Sequence, residues 1–112
     1  MRIVNLEQFR ALPEWTVFRK FRPMVAEDLQ FKFETWEHDF ICMPVDMPES
    51  HSSEQLFDRL GEMLATGVSY PLNVDCAGRD GLFDKEQLFL IYEKADLAAL
   101  RGLIDSAIEH AE

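Results

Sequence analysis

Positive charge is scarce in this chain: 11 Lys and Arg stand against 21 Asp and Glu, for a net charge of −10. A surface of that sign repels nucleic-acid phosphates at long range and favours basic partners. Cysteine is scarcer still. Cys42 and Cys76 lie far apart, with no CxxC and no Cys/His cluster, which argues against a structural zinc site. In a reducing compartment both read as small core residues rather than as a disulfide. No apolar run approaches the roughly 20 residues that span a bilayer, so no membrane partner is expected. The first residues, Met1-Arg2-Ile3-Val4-Asn5-Leu6-Glu7, meet polar groups at once and hold no signal-peptide core. The expected location is the cytoplasm. With five Gly and five Pro there is no linker, repeat or low-complexity stretch.

What the chain does have is bulk. Apolar residues make up 47%, with nine Phe and two Trp, enough for one hydrophobic core in a single domain over residues 1–112. Charge is unevenly spread. Residues 1–23 hold five basic and two acidic groups, a balance of +3, and the remainder stands at −13.

Asn5 and Gln8 have capping-box spacing, with Val4 placed to staple onto Phe9, and Leu6, Phe9 and Leu12 share a face before Pro13. Thr16 to Phe21 is rich in β-branched and aromatic residues and reads as a strand. Leu29 to Thr35 alternates strictly. Leu29, Phe31, Phe33 and Thr35 share one face and Gln30, Lys32 and Glu34 the other, as in an antiparallel strand with its polar side in water. Trp36-Glu37-His38-Asp39 is a turn, and Phe40 to Met43 the return strand. Ser52 and Gln55 begin a helix with a stripe of Leu56, Phe57, Leu60, Met63 and Leu64, closed by Gly67. Gly61 within it marks a close contact or a weak point. Tyr70 to Cys76 is a fourth strand, and Leu88 to Tyr92 a central one covered on both faces. Asp96 caps a last helix that buries Leu97, Leu100, Leu103, Ile104, Ala107 and Ile108. The order α-β-β-β-α-β-β-α predicts an α+β domain, a mostly antiparallel sheet of about five strands with three helices.

One stretch, Asp75-Cys76-Ala77-Gly78-Arg79-Asp80-Gly81-Leu82-Phe83-Asp84, concentrates carboxylates and glycines between two apolar segments. It is no EF-hand. With Gly81 at the sixth position, Cys76, Gly78 and Gln87 fall where the first, third and twelfth ligands belong. No GK[ST] follows to make a phosphate cradle, and three carboxylates would repel the anion. A structural turn in which Arg79 pairs with a nearby carboxylate is the stronger reading. Asp75, Arg79, Asp80 and Asp84 are the candidate ligand- or partner-binding residues if the stretch carries a site. His38, His51 and His110 form no catalytic dyad with either cysteine, and Glu37, Asp39, Asp46 and Glu49 read as solvated surface carboxylates rather than as metal ligands with His38 or His51, so no metal is expected. Trp15, Phe18, Arg19, Lys20, Phe21 and Arg22 form a basic-aromatic cluster, but its cations are expected to pair with the acidic remainder rather than with nucleic acid.

Two segments together, Ile3 to Phe9 with Leu12-Pro13 to Phe18, and Asp75 to Asp84 with Gln87-Leu88-Phe89, resemble small uncharacterised acidic proteins encoded by bacteriophages and prophages. In that family Gly is expected where Trp15 stands here. The resemblance implies a context and no mechanism. The expected function is that of a non-enzymatic phage or prophage accessory protein without cofactor. It would modulate a host or phage protein of basic surface, as a nucleic-acid mimic in one version. The alternatives are a small ligand-binding domain or enzyme with its site near Asp75, Arg79, Asp80 and Asp84, and a structural protein acting as a homodimer.

Overall fold

Asn5 closes one element and opens the next. In the computed structural model, which describes residues 1–23 and 25–111, strand β1 (Arg2–Asn5) runs directly into helix α1 (Leu6–Arg10). The Asn5 side chain accepts from the Gln8 N–H at 2.8 Å, and Gln8 Oε1 accepts from the Asn5 N–H at 3.0 Å. This is the expected capping box. The chain continues as β2 (Val17–Arg22), β3 (Val25–Trp36), β4 (Asp39–Pro44), α2 (Ser53–Thr66), β5 (Gly78–Arg79), β6 (Leu88–Tyr92) and α3 (Lys94–His110). The strands form one antiparallel sheet in the order β1-β6-β2-β3-β4-β5, an α+β fold. The sheet has six strands rather than five. β1 is the addition, an edge strand that pairs Ile3 with Leu90 and Val4 with Phe89. The strand expected over residues 70–76 does not form. Its backbone makes only the isolated bridge of Leu72 to Pro48, and the pairing moves on to Gly78 and Arg79.

Residues paired across an antiparallel sheet share a face. Val4, Phe18, Phe40, Cys42, Phe89 and Ile91 therefore line one side, and α1 lowers Phe9 onto it. Phe9 stacks on Phe89 (centroids 3.9 Å, planes 7° apart) and meets Phe18 and Phe40 edge-on at 4.7 and 4.9 Å. Trp15, where a glycine is expected by resemblance, has φ of 72°, the left-handed region that glycine enters most freely. Its ring instead packs edge-on against Phe31 and Phe33.

Strand β3 reverses the sidedness expected from its alternation. Gln30 and Lys32 lie on the covered face, 8% and 2% exposed, while Leu29, Phe31 and Phe33 are half-exposed on the other. Lys32 is tolerated because its Nζ donates to Leu12 O (2.9 Å), Phe33 O (3.2 Å) and Thr35 Oγ1 (2.9 Å), beneath the Phe9 ring. A register shift between Lys32 and Thr35 turns Thr35 to the same side, away from the group in which alternation placed it. β6 likewise buries only Phe89 and Ile91, so it is covered on one face, and it lies next to the β1 edge rather than at the sheet's centre.

The two long helices depart furthest from expectation. Neither buries a residue fully. Leu97 and Leu100 are half-buried where α3 leaves β6, but Leu103, Ile104, Ala107 and Ile108 are exposed. On α2, Leu56 and Met63 turn inward while Phe57, Leu60 and Leu64 face out, Leu64 with 90% of its surface exposed. A Cβ on Gly61 would meet nothing within 4 Å, so that glycine marks no close contact. The radius of gyration, 15.5 Å, exceeds the roughly 13 Å of a compact chain of this length. α3, about 25 Å long, projects from the sheet.

Candidate functional site

The stretch from Asp75 to Asp84 closes the far edge of the sheet. Gly78 pairs with Cys42 and Arg79 with Ile41, and the Asp80 N–H donates to Phe40 O at 3.0 Å. The carboxylate that holds it comes from the other side of the sequence. Asp39, 3% exposed, accepts from Arg79 Nε at 3.0 Å, from the Gly81 N–H at 3.0 and 3.1 Å, and from its neighbour Phe40 N–H at 2.9 Å. Arg79 lies 4.9 Å over the Trp36 ring, with Phe83 also in reach. Gly81, at φ of 69°, supplies the turn that aims its N–H at Asp39.

The four candidate residues do not converge. Arg79 is spent on Asp39 and Asp80 on Lys20, an ion pair that is mostly buried. Asp80 also accepts from Gln87 Nε2 at 3.4 Å. Asp84 accepts from the Glu86 N–H at 2.9 Å and shapes a local turn, and Asp75 is exposed. The basic cluster is equally committed: Arg19 bonds Tyr92 Oη and Glu27 O and faces Asp46 at 3.7 Å, and Arg22 faces Glu27 at 3.8 Å. Asp39, expected as a surface carboxylate, is the buried acid that sequence reasoning missed here, whereas Lys20 pairs with the acidic remainder as its cluster was expected to. An acid directly preceding a strand's first buried aromatic was the available signal for Asp39.

Arg79 and Asp80 do border a hollow. α1 covers one end of the inner sheet face, and the start of α2 with the loop before it overhangs the other, leaving a cavity of about 410 Å³. Gln30, Cys42 and Asn73 are its most buried lining residues, and Pro44, Met47 and Leu56 are among its apolar ones. Asn73 is satisfied: its Oδ1 accepts from the Cys76 N–H at 3.1 Å, and its amide donates to Pro44 O. Ser52 caps α2 by accepting from the Gln55 N–H at 3.1 Å. A larger cleft, about 730 Å³, opens beside Leu6, Arg10, His38 and Phe83 at the opposite end of β4, away from these groups. Among the described residues no three His, Cys, Asp or Glu side chains gather closely enough to hold a metal ion.

Cys42 lines the cavity, as do Cys76 and Ser50, Ser52 and Ser53. Burial, reinforced by the Asp80 carboxylate and opposed by Lys20, pushes the Cys42 thiol up to about 11, so it stays protonated at neutral pH. The folded state therefore keeps a proton that the unfolded chain releases near pH 9. Stability should fall between about pH 9 and 11, by roughly 2–3 kcal/mol. Burial pushes Lys32 the other way, which raises stability with pH over the range just below its ordinary value. Urea unfolding of the protein and of Cys42→Ala at pH 8 and pH 11 separates the two. The variant should lose less stability on alkalisation, and an equal loss would contradict the assignment.

Compared with known proteins, the chain matches no family model, and neither a curated protein nor a solved structure is significantly similar to it. No helix among the described residues is long and apolar enough to cross a membrane.

Proposed function

We propose that this is a non-enzymatic phage or prophage accessory protein that binds and modulates a host protein of basic surface, with α2 as the docking element. The carrying observation is the outer face of α2. Phe57, Leu60 and Leu64 are exposed in one strip at helical spacing, and Glu54 and Asp58 lie along its flank. The helix's one cation, Arg59, is turned away toward Glu49 and the Tyr70 ring. An apolar strip with acids alone beside it complements an apolar patch ringed by Lys and Arg. The −10 net charge steers such a partner in, and a nucleic-acid mimic would act through the same sign of field.

Capture from bacterial lysate tests this with Phe57→Ala/Leu64→Ala beside the unaltered protein. The expected result is a partner that the variant fails to hold and that salt releases progressively. A partner retained equally by both and insensitive to salt would overturn the proposal. The exposed stripe of α3 is the observation behind a second reading, a homodimer with a role in assembly. Light scattering that returns 13.0 kDa would discard it.

A further inference from the structure

We infer that the cleft between α1 and the loop leading into β6 is a binding site for a small organic anion, a carboxylate or phosphate carried on an apolar ring. The cleft, about 730 Å³, is walled by Leu6, Glu7 and Arg10 of α1, His38 of the β3–β4 turn, and Phe83 and Lys85 of that loop. Arg10 points to it first. Its Nη2 donates to the carbonyl oxygens of Trp36, at 3.1 Å, and Glu37, which fixes the guanidinium in place. Its Nε is buried without a hydrogen-bond partner, one of two such side-chain atoms among the described residues. Nη1 bonds no described residue, and no carboxylate among them pairs with the group. The positive charge is thus anchored but not neutralised. An anion at Nη1 supplies the missing counter-charge, and such a charge-assisted bond is about twice as strong as a neutral one.

The charge of the cleft is the reverse of the molecule's. Arg10 and Lys85 stand against one lining acid, the exposed Glu7, and His38 adds a further positive charge when protonated. Neither Lys85 nor Arg10 forms an ion pair with a described residue, whereas Lys20, Arg59 and Arg79 are each held by an acid elsewhere. Phe83 is the second, independent sign. Its φ of 55° lies in the left-handed region, a costly conformation for a bulky side chain. Burial does not offset that cost, because the residue is 56% exposed, and Arg79 at 6.0 Å sits at the limit of cation–π range. What the strained turn achieves is to place an aromatic ring at the cleft, with Leu6 as further apolar wall, where a ligand's ring can pack against it. The net charge of −10 opposes anions at long range only. In physiological salt the Debye length is about 8 Å, so the cations inside the cleft decide. Nucleic acid extends well past that distance and meets the acidic surface, so the ligand is small. The volume lies within the usual range of small-ligand pockets.

The test is an NMR titration of the whole protein, at physiological salt, with phenyl phosphate and with benzoate. Inorganic phosphate, which lacks the ring, and benzylamine, which carries the opposite charge, are the controls. Phenyl phosphate, benzoate or both should move the Arg10, His38, Phe83 and Lys85 backbone signals in a saturable way, and the tighter of the two names the headgroup. Inorganic phosphate should act on the same signals about fivefold more weakly, the size of one aromatic contact, and benzylamine should leave them unmoved. Lys85→Gln should weaken the tighter ring anion about tenfold, as for one charge-assisted hydrogen bond, at an unchanged melting temperature. Arg10→Gln should weaken it as much but also releases Trp36 and Glu37, so Lys85→Gln is the deciding variant. Phe83→Gly, which removes the ring and relieves the backbone, should weaken the ring anion about fivefold and leave inorganic phosphate unchanged. No saturable response to either ring anion, an equal response to benzylamine, or full affinity in Lys85→Gln would overturn the inference. None of these residues lies on α2, so Phe57→Ala/Leu64→Ala should bind the ring anion as the unaltered protein does, and the two proposals fail separately.

Discussion

Replacing Phe9 by alanine should lower stability by about 3–5 kcal/mol, the range for emptying a fully buried aromatic site. Phe9 has no exposed surface, stacks flat on Phe89, and touches Phe18 and Phe40 with its edges. Those three rings also meet one another edge-on, at 5.8 to 6.3 Å, so Phe9 closes a four-ring cluster. The five residues of α1 cannot hold a helix by propensity alone, so losing the anchor also releases the element that carries it. The consequence reaches Lys32, whose Nζ donates to Leu12 O just beyond α1. Once α1 lifts, a buried ammonium loses one of its three acceptors. Domains of this size are stable by about 5–15 kcal/mol in total, so the change should move the urea midpoint by a large fraction of its value. A loss below about 1.5 kcal/mol would mean that α1 is not the lid of the core.

What was legible in the sequence was what neighbours in sequence decide. The Asn5/Gln8 capping box, the Ser52 cap, the left-handed Gly67 at the end of α2 and the β4 and β6 strands are all written in local residues. What failed was sidedness. Alternation shows that Leu29, Phe31 and Phe33 are alike and that Gln30 and Lys32 are alike. It does not show which set is covered. α1 and the α2 overhang cover the polar set, and three oxygen acceptors make a buried lysine tolerable there. The same gap explains α3. Its period marks one face as apolar, but no described residue folds over the outer half of that face. β1 was hidden because four residues at an edge become a strand only through pairing with Leu88 to Ile91.

The candidate site was legible in the same partial way. Glycines and carboxylates between residues 75 and 84 announced a specific turn, and Arg79 was rightly expected to find an acid. The acid it finds is 40 positions away, in a tetrapeptide that read as an exposed turn.

Asp39→Asn should therefore cost more than Arg79→Ala, although the arginine is the residue the sequence draws attention to. Asp39 accepts from Arg79, Gly81 and Phe40 in a site with almost no solvent, and an amide in its place must present N–H to one of those donors. About 2–4 kcal/mol is the expected loss, the sum of a weakened charged hydrogen bond and a buried donor left unmet. Arg79 is half exposed, so its removal lets water reach the carboxylate and should cost nearer 1 kcal/mol. The two variants also separate by pH. Burial pushes the Asp39 carboxyl up, but the Gly81 and Phe40 N–H groups and the Arg79 guanidinium outweigh it and hold it below the usual carboxylate value. Its contribution is thus complete above about pH 4 and is lost as the pH falls through the lower folded value. Asp39→Asn removes that group, so the unaltered protein and the variant should converge in stability on acidification, while Arg79→Ala keeps much of the acid sensitivity. Urea midpoints at pH 7 and pH 3 measure both differences, and hydrogen exchange at Gly78 to Gly81 locates them. A larger loss for Arg79→Ala than for Asp39→Asn at pH 7 would return the arginine to the centre of the turn.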